Sequence, residues 1–173
     1  MSRKIVLATL ILGLVALAFF LGYSTINRIN AKSMAAEKLQ TAPVGNFYSM
    51  DSILVKIPNK NFALIYFDSG CEHCQNELKE VSSNRQLFVD KQLVFVSSEN
   101  ISSIKKVALE YRLNTEPTFY FYKIEQDDVF DTFGSTSLPH IFIYGLDGRL
   151  VKEFKGETNV ATIAHYLPLA SGE

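Results

Sequence analysis

Residues 62–74 read FALIYFDSGCEHC: six apolar or aromatic positions, a short polar turn, then two cysteines separated by two residues. The run 62–67 has the length of a buried strand, and residues 71–85 have helical character. The pair Cys71 and Cys74 therefore stands where a strand hands over to the first turn of a helix. A thiol there meets unpaired N–H groups and the positive end of the helix dipole, which favour the thiolate. Two intervening residues let one sulfur attack a bound disulfide while the other releases it. The chain has only these two cysteines. They are too close in sequence for a bridge that closes a useful loop, so the core must hold by packing.

Outward from this stretch, strand and helix patterns alternate from Phe47 onward. Apolar runs at 53–57 and 62–67 are split by the turn cluster 58–61, and LVFVSS at 93–98 is a further strand. Ile101, Ile104, Val107, Ala108 and Tyr111 recur at helical spacing. TFYFYKI at 118–124 reads as a strand. DDVFDTF at 127–133 reads as a short helix ending at Gly134. Strands at 140–145 and 149–154 flank the hairpin turn Leu146-Asp147-Gly148, and a last helix runs over 159–167 and stops at Pro168. This order predicts an α/β fold with a mixed sheet and helices on both faces.

The N-terminus carries Arg3 and Lys4, then 19 residues (5–23) with neither charge nor proline. As a helix they reach about 28 Å, close to the ~30 Å of a hydrocarbon core. A cleavable signal peptide has a shorter apolar core, and the one small-x-small site, Ala16-Leu17-Ala18, lies inside the run. The expectation is an uncleaved transmembrane anchor with its short tail (1–24), a polar stalk (25–43) and one domain (44–173). Counting Arg3 and Lys4 against Arg28, Lys32 and Lys38 does not orient the span. A short basic tail normally stays in the cytoplasm, and disulfide chemistry belongs mainly outside it, so the domain is expected on the extracytoplasmic side of the cell membrane. The charge balance, 17 Lys+Arg against 18 Asp+Glu, offers no basic footprint for nucleic acid.

A zinc site built on Cys71 and Cys74 would need two further ligands. The histidines available are His73, His140 and His165, without a second cysteine pair, so no metal is expected. On the redox reading Cys71, in the exposed first turn, attacks, and Cys74, one turn further in, resolves the mixed disulfide. His73, when protonated, favours the thiolate and makes the couple more oxidising, whereas Glu72 acts oppositely. Their sum has no sign readable from sequence. Glu77 shares a helix face with Cys74. It is either a solvated helix carboxylate or a group that moves a proton on and off Cys74. Pro139, taken alone, is a strand-start proline.

FALIYFDSGCEHCQNEL (62–78) and, some way on, STSLPHIFIYGLDGRLVKEFKGE (135–157) resemble the membrane-anchored thioredoxin-like thiol–disulfide oxidoreductases of the TlpA/ResA type. The similarity covers roughly 47–167. It implies a thioredoxin-like fold with a central insertion near 118–134. It also implies a cis proline at Pro139, with the backbone of Leu138 open to an extended substrate, and an active-site carboxylate at Glu77. The redox-active disulfide Cys71–Cys74 would be the only cofactor. Implied partners are protein dithiols and disulfides, a membrane electron donor, and the bilayer through 5–23. The sequence departs from that pattern in having Ser69-Gly70 where a tryptophan usually precedes the first cysteine. It also has His73 for a commoner proline and His140 for a usual threonine. The expected activity is the reduction of protein disulfides, as in cytochrome c maturation or envelope redox homeostasis. A Sco-like copper chaperone is the rival, although its cysteines are usually three residues apart; a redox-inert anchored binding module is another. A peroxidase would want a threonine three residues before Cys71, where Asp68 stands.

Overall fold

A computed structural model describes residues 3–38, 40–58 and 61–167 of the chain. Helix α1 (Arg3–Lys38) is followed by β1 (Phe47–Tyr48), β2 (Leu54–Val55), β3 (Phe62–Tyr66), α2 (Glu72–Ser83) and β4 (Gln92–Ser97). Next come α3 (Ile101–Glu110), β5 (Phe119–Ile124), α4 (Val129–Phe133), β6 (His140–Tyr144), β7 (Leu150–Lys155) and α5 (Val160–Tyr166). Among the described residues the strands form one sheet in the order β2-β1-β5-β4-β3-β6-β7. Strand β4 lies parallel to β3 and to β5, and the other pairings are antiparallel.

Strand β3 is paired on both edges and covered on both faces, so all five residues are buried. An uninterrupted apolar run, rather than an alternating one, is what such a position demands. The crossovers β3-α2-β4 and β4-α3-β5 step in the same direction, and right-handed connections then place both helices on one face. Cys74, Leu78 and Val81 of α2, Ile104 and Val107 of α3, and Val160 and Ile163 of α5 share that face's core. The opposite face is covered by Val129 and Phe133 of α4, packed on Leu64, Tyr66, Val94, Val96 and Phe142. Helices therefore lie on both faces, as the alternating pattern predicts.

One expectation changes. The strand foreseen at 53–57 shrinks to Leu54–Val55, because its partner is β1, a two-residue strand that the sequence did not announce. Ile53 and Leu54 consequently stay exposed at the sheet edge. The N-terminal helix runs unbroken through the expected boundary at 24–25. Among the described residues no helix is long and apolar enough to cross a membrane. The side chains at 5–10 of the expected span lie outside the described residues, and 11–23 alone extend about 20 Å. The expected stop at Pro168 and positions 59–60 of the 58–61 turn also lie outside them. Beyond α1, the chain is tied to the β7 edge: Leu150 N–H donates to the Gln40 carbonyl at 3.0 Å, and Thr41 bridges Arg149.

Phe95 anchors the α2 face. Its ring stacks on Phe121 at 4.6 Å between centroids and meets Phe119 edge-on at 5.8 Å. Phe95→Ala removes this hub from a site with no solvent access. We expect a loss of about 3–5 kcal/mol, read as an earlier urea midpoint of the full chain.

Candidate active site

The turn after β3 is held by its own backbone. Phe67 N–H donates to the Val96 carbonyl at 2.9 Å, and Cys71 N–H donates to the Asp68 carbonyl at 3.2 Å. Asp68 Oδ1 accepts Gly70 N–H at 2.8 Å, an Asx turn of the kind aspartate favours. Cys71 is the N-cap of α2, in extended conformation, with no side-chain capping bond. Its carbonyl accepts Gln75 N–H at 3.0 Å. The thiol thus occupies the position where helix N–H groups lack partners.

The two sulfurs, both present as free thiols, differ sharply in access: Cys71 is half-buried and Cys74 has no exposed surface. Burial pushes the Cys74 thiol far above its usual range. An Asp68 backbone bond opposes this, while the Cys71 sulfur and the Asp68 carboxylate add to it. Cys71 is thus the accessible sulfur of the pair and Cys74 the enclosed one.

Glu77 is 1% exposed. Oε2 accepts Thr158 N–H at 2.8 Å, while Oε1 has no partner among the described residues. Burial raises its carboxyl to about 7; the Thr158 bond opposes the rise, and the charges of Glu157 and Glu80 add to it. The solvated-helix reading of this residue is thereby excluded. Its carboxylate is tied to the loop after β7, whereas Cys74 is acted on chiefly by Cys71 and Asp68. His73 is bound to the same loop, its Nδ1 lying 3.0 Å from Glu157 Oε2. Between α2 and this loop lies a cleft of about 710 Å³ lined by His73, Glu77, Glu80 and 156–160. Glu72 is exposed in the first turn of α2.

The Leu138–Pro139 peptide bond is cis, as the resemblance implies. The Pro139 carbonyl accepts Gly156 N–H at 2.8 Å, which joins this loop to the one that holds Glu77 and His73. Leu138 packs against both core clusters. No hydrogen bond engages its own N–H or carbonyl among the described residues.

His140, which stands where a threonine is usual, faces away from the sulfurs. Strand alternation puts Ile141 and Ile143 on the Cys74 side. The His140 ring instead lies against Phe142, tilted by 39° with centroids 4.1 Å apart, and its Nε2 lies 2.7 Å from Glu153 Oε1. Burial lowers its pKa against the pull of Glu153. His165 is exposed on α5. Among the described residues no group of three or more His, Cys, Asp or Glu could hold a metal ion. Sequence reasoning passed over Asp68 except to exclude a peroxidase, although its spacing from Cys71 was visible. Glu157 and Thr158 lie some 80 residues from their partners and carried no local signal.

Comparison with known proteins agrees with this geometry. A family model described as a thioredoxin-like domain matches residues 48–171. StoA from Bacillus subtilis has a TM-score of 0.51 at 18% identity, over 72% of this chain and 98% of that one. A secreted Mycobacterium tuberculosis disulfide oxidoreductase homologous to E. coli DsbE gives 0.55 at 14% identity, over 76% and 96%. A thio-disulfide isomerase from Thermus thermophilus gives 0.53 at 20% identity, over 73% and 94%. At these identities the likeness is one of fold. No curated protein sequence matches the chain.

Proposed function

This chain belongs to the thioredoxin-like domain family, and we propose that it is a membrane-anchored thiol–disulfide oxidoreductase that reduces protein disulfides outside the cytoplasm. The observation that carries the reading is the asymmetry of the dithiol: an accessible N-cap sulfur at Cys71 beside a fully buried one at Cys74. The Cys71 thiolate attacks one sulfur of a substrate disulfide. That S–S bond breaks, a mixed disulfide forms, and the first substrate thiolate leaves. Cys74 then loses its proton and attacks Cys71, releasing the second substrate thiolate. Two electrons pass to the substrate, and a membrane donor restores the dithiol. Leu138, with its free backbone groups beside Pro139, is the ledge on which an extended substrate segment pairs. Glu77 holds the proton that leaves or enters the site from the cleft.

Reduction is favoured over oxidation because the TlpA/ResA-type oxidoreductases that the sequence resembles mostly reduce disulfides. Residues 5–23 supply the anchor, and the basic tail keeps the N-terminus in the cytoplasm. Cytochrome c maturation and envelope redox homeostasis are the processes such a reductase would serve.

Equilibration of the full chain in detergent with glutathione tests the direction. We expect a potential nearer the about −270 mV of thioredoxin than the about −120 mV of a strong oxidant such as DsbA. A value near the latter reverses the assignment. A C-terminal phosphatase fusion reads topology: activity is expected, and an inactive fusion puts the domain in the cytoplasm.

A further inference from the structure

The turn that delivers Cys71 to its helix consists of Asp68, Ser69 and Gly70, and none of these has an apolar side chain to fasten into the core. Besides the turn's own bonds through Asp68, it is fastened from the end of β4. Glu99 stands two residues beyond that strand, just before Asn100, the N-cap of α3. Its Oε2 accepts Ser69 N–H at 2.8 Å, and its Oε1 accepts the Ser69 hydroxyl at 2.6 Å. The carboxylate is steadied in turn by Ser97, whose hydroxyl donates to Oε2 at 3.3 Å and accepts Glu99 N–H at 3.2 Å. The remaining polar group of Ser69, its carbonyl, accepts Gln75 Nε2 at 2.7 Å. Every hydrogen-bonding group of Ser69 is therefore engaged, two of them by one carboxylate 30 residues away in sequence.

We propose that Glu99 is a positioning residue for Cys71: by clamping both the N–H and the hydroxyl of Ser69, it sets the placement at which the thiol enters the first turn of α2. Without this clamp the turn keeps only its bonds through Asp68 and Gln75, and its central residue gains backbone freedom. A nucleophile must meet its target within a few tenths of an ångström of the productive geometry. The proposal rests on Cys71 being the attacking sulfur, and it adds to that reading a residue outside the motif.

Two substitutions separate the clamp from its charge. Glu99→Gln keeps a carbonyl for Ser69 N–H and an amide N–H for the Ser69 oxygen, and loses only the charge. Glu99→Ala loses both contacts. We expect Glu99→Ala to slow disulfide exchange with a protein substrate by roughly ten- to a hundredfold, and Glu99→Gln to stay within about threefold of wild type. Wild-type speed in Glu99→Ala, or a Glu99→Gln as slow as the alanine variant, overturns the proposal. Amide hydrogen exchange at Ser69 provides a reading that needs no turnover: protection is expected to fall in Glu99→Ala and to be kept in Glu99→Gln. Unchanged protection in Glu99→Ala also overturns it. If the alanine variant does not fold, Ser69→Ala, which removes the hydroxyl contact alone, is expected to show a smaller slowing in the same direction, and wild-type speed there counts against the clamp. Absence of exchange by the wild type itself sinks the oxidoreductase reading, while Ser69 protection still decides the clamp.

Discussion

Replacing Cys71 by Ser is expected to reduce disulfide exchange to the uncatalysed background, and replacing Cys74 by Ser to leave the chain covalently joined to its substrate. The difference follows from access and not from the chemistry of the two thiols. Cys71 caps α2 at the surface, and a hydroxyl in its place is not ionised near neutral pH, so the first S–S bond is never attacked. Cys74 has no exposed surface and cannot meet a protein disulfide before Cys71 has done so. Without Cys74 the mixed disulfide has no internal route to release. Mass spectrometry of the Cys74→Ser chain after incubation with a disulfide substrate should find one substrate adduct per chain, attached at Cys71. Equal turnover by the two variants, or adducts on Cys74 in a Cys71→Ser chain, would contradict the assigned order.

Glu77→Gln is expected to stabilise the chain at pH 8 relative to its effect at pH 4, by on the order of 3 kcal/mol. The sign follows from linkage. Burial lifts the Glu77 carboxyl from 4.5 to about 7 in the folded chain. Below pH 4.5 the group is protonated folded and unfolded alike, and its contribution to stability is fully present. As pH rises toward 7 the unfolded chain releases a proton that the folded chain retains, and that contribution is lost. Above pH 7 the whole gap between 4.5 and about 7 is a cost, at about 1.4 kcal/mol per pH unit. Glutamine carries no charge at any pH, and its carbonyl can keep the Thr158 N–H bond. Any fixed cost of burying its amide cancels between the two pH values. The titratable groups facing this site are Glu80 and His73 from α2 and Glu157 from the opposite loop. Urea unfolding of both chains at pH 4 and pH 8 measures the effect. Parallel pH dependences would show that Glu77 does not titrate as described. The same proton predicts an inflection near pH 7 in the exchange rate, absent from Glu77→Gln.

Much of the architecture was legible because each element carries its own period. The unbroken apolar run at 62–67 marked a strand, and Ile101, Ile104, Val107, Ala108 and Tyr111 marked one face of a helix, of which Ile104, Val107 and Ala108 are buried in α3. Gly134, with φ of +65°, ended α4 where a left-handed residue was foreseen. The hairpin of β1 with β2 escaped because four paired residues have no detectable period, and only β5 gives β1 a place in the sheet. The side of the sheet that His140 takes was not legible for a related reason. Its position after Pro139 was visible, but which face it takes depends on the register of β6, which pairs it with Tyr66 and Lys155 and turns its ring toward Glu153.

The site divides along the same line. Local sequence was sufficient for the dithiol, since strand, turn and helix start are contiguous and two cysteines two residues apart have one geometry to adopt there. Glu77 stood out by sharing a helix face with Cys74, and Pro139 only through the family resemblance; neither reading said what these residues touch. Only the tertiary structure decided that Glu77 is buried against Thr158, that His73 is held by Glu157, and that Glu99 grips Ser69. Those contacts join segments 30 to more than 80 residues apart, and hydrogen bonds between distant segments leave no period in a sequence. Short-range periodicity records which side of an element is dry. Which carboxylate grips which distant group is settled when the sheet assembles.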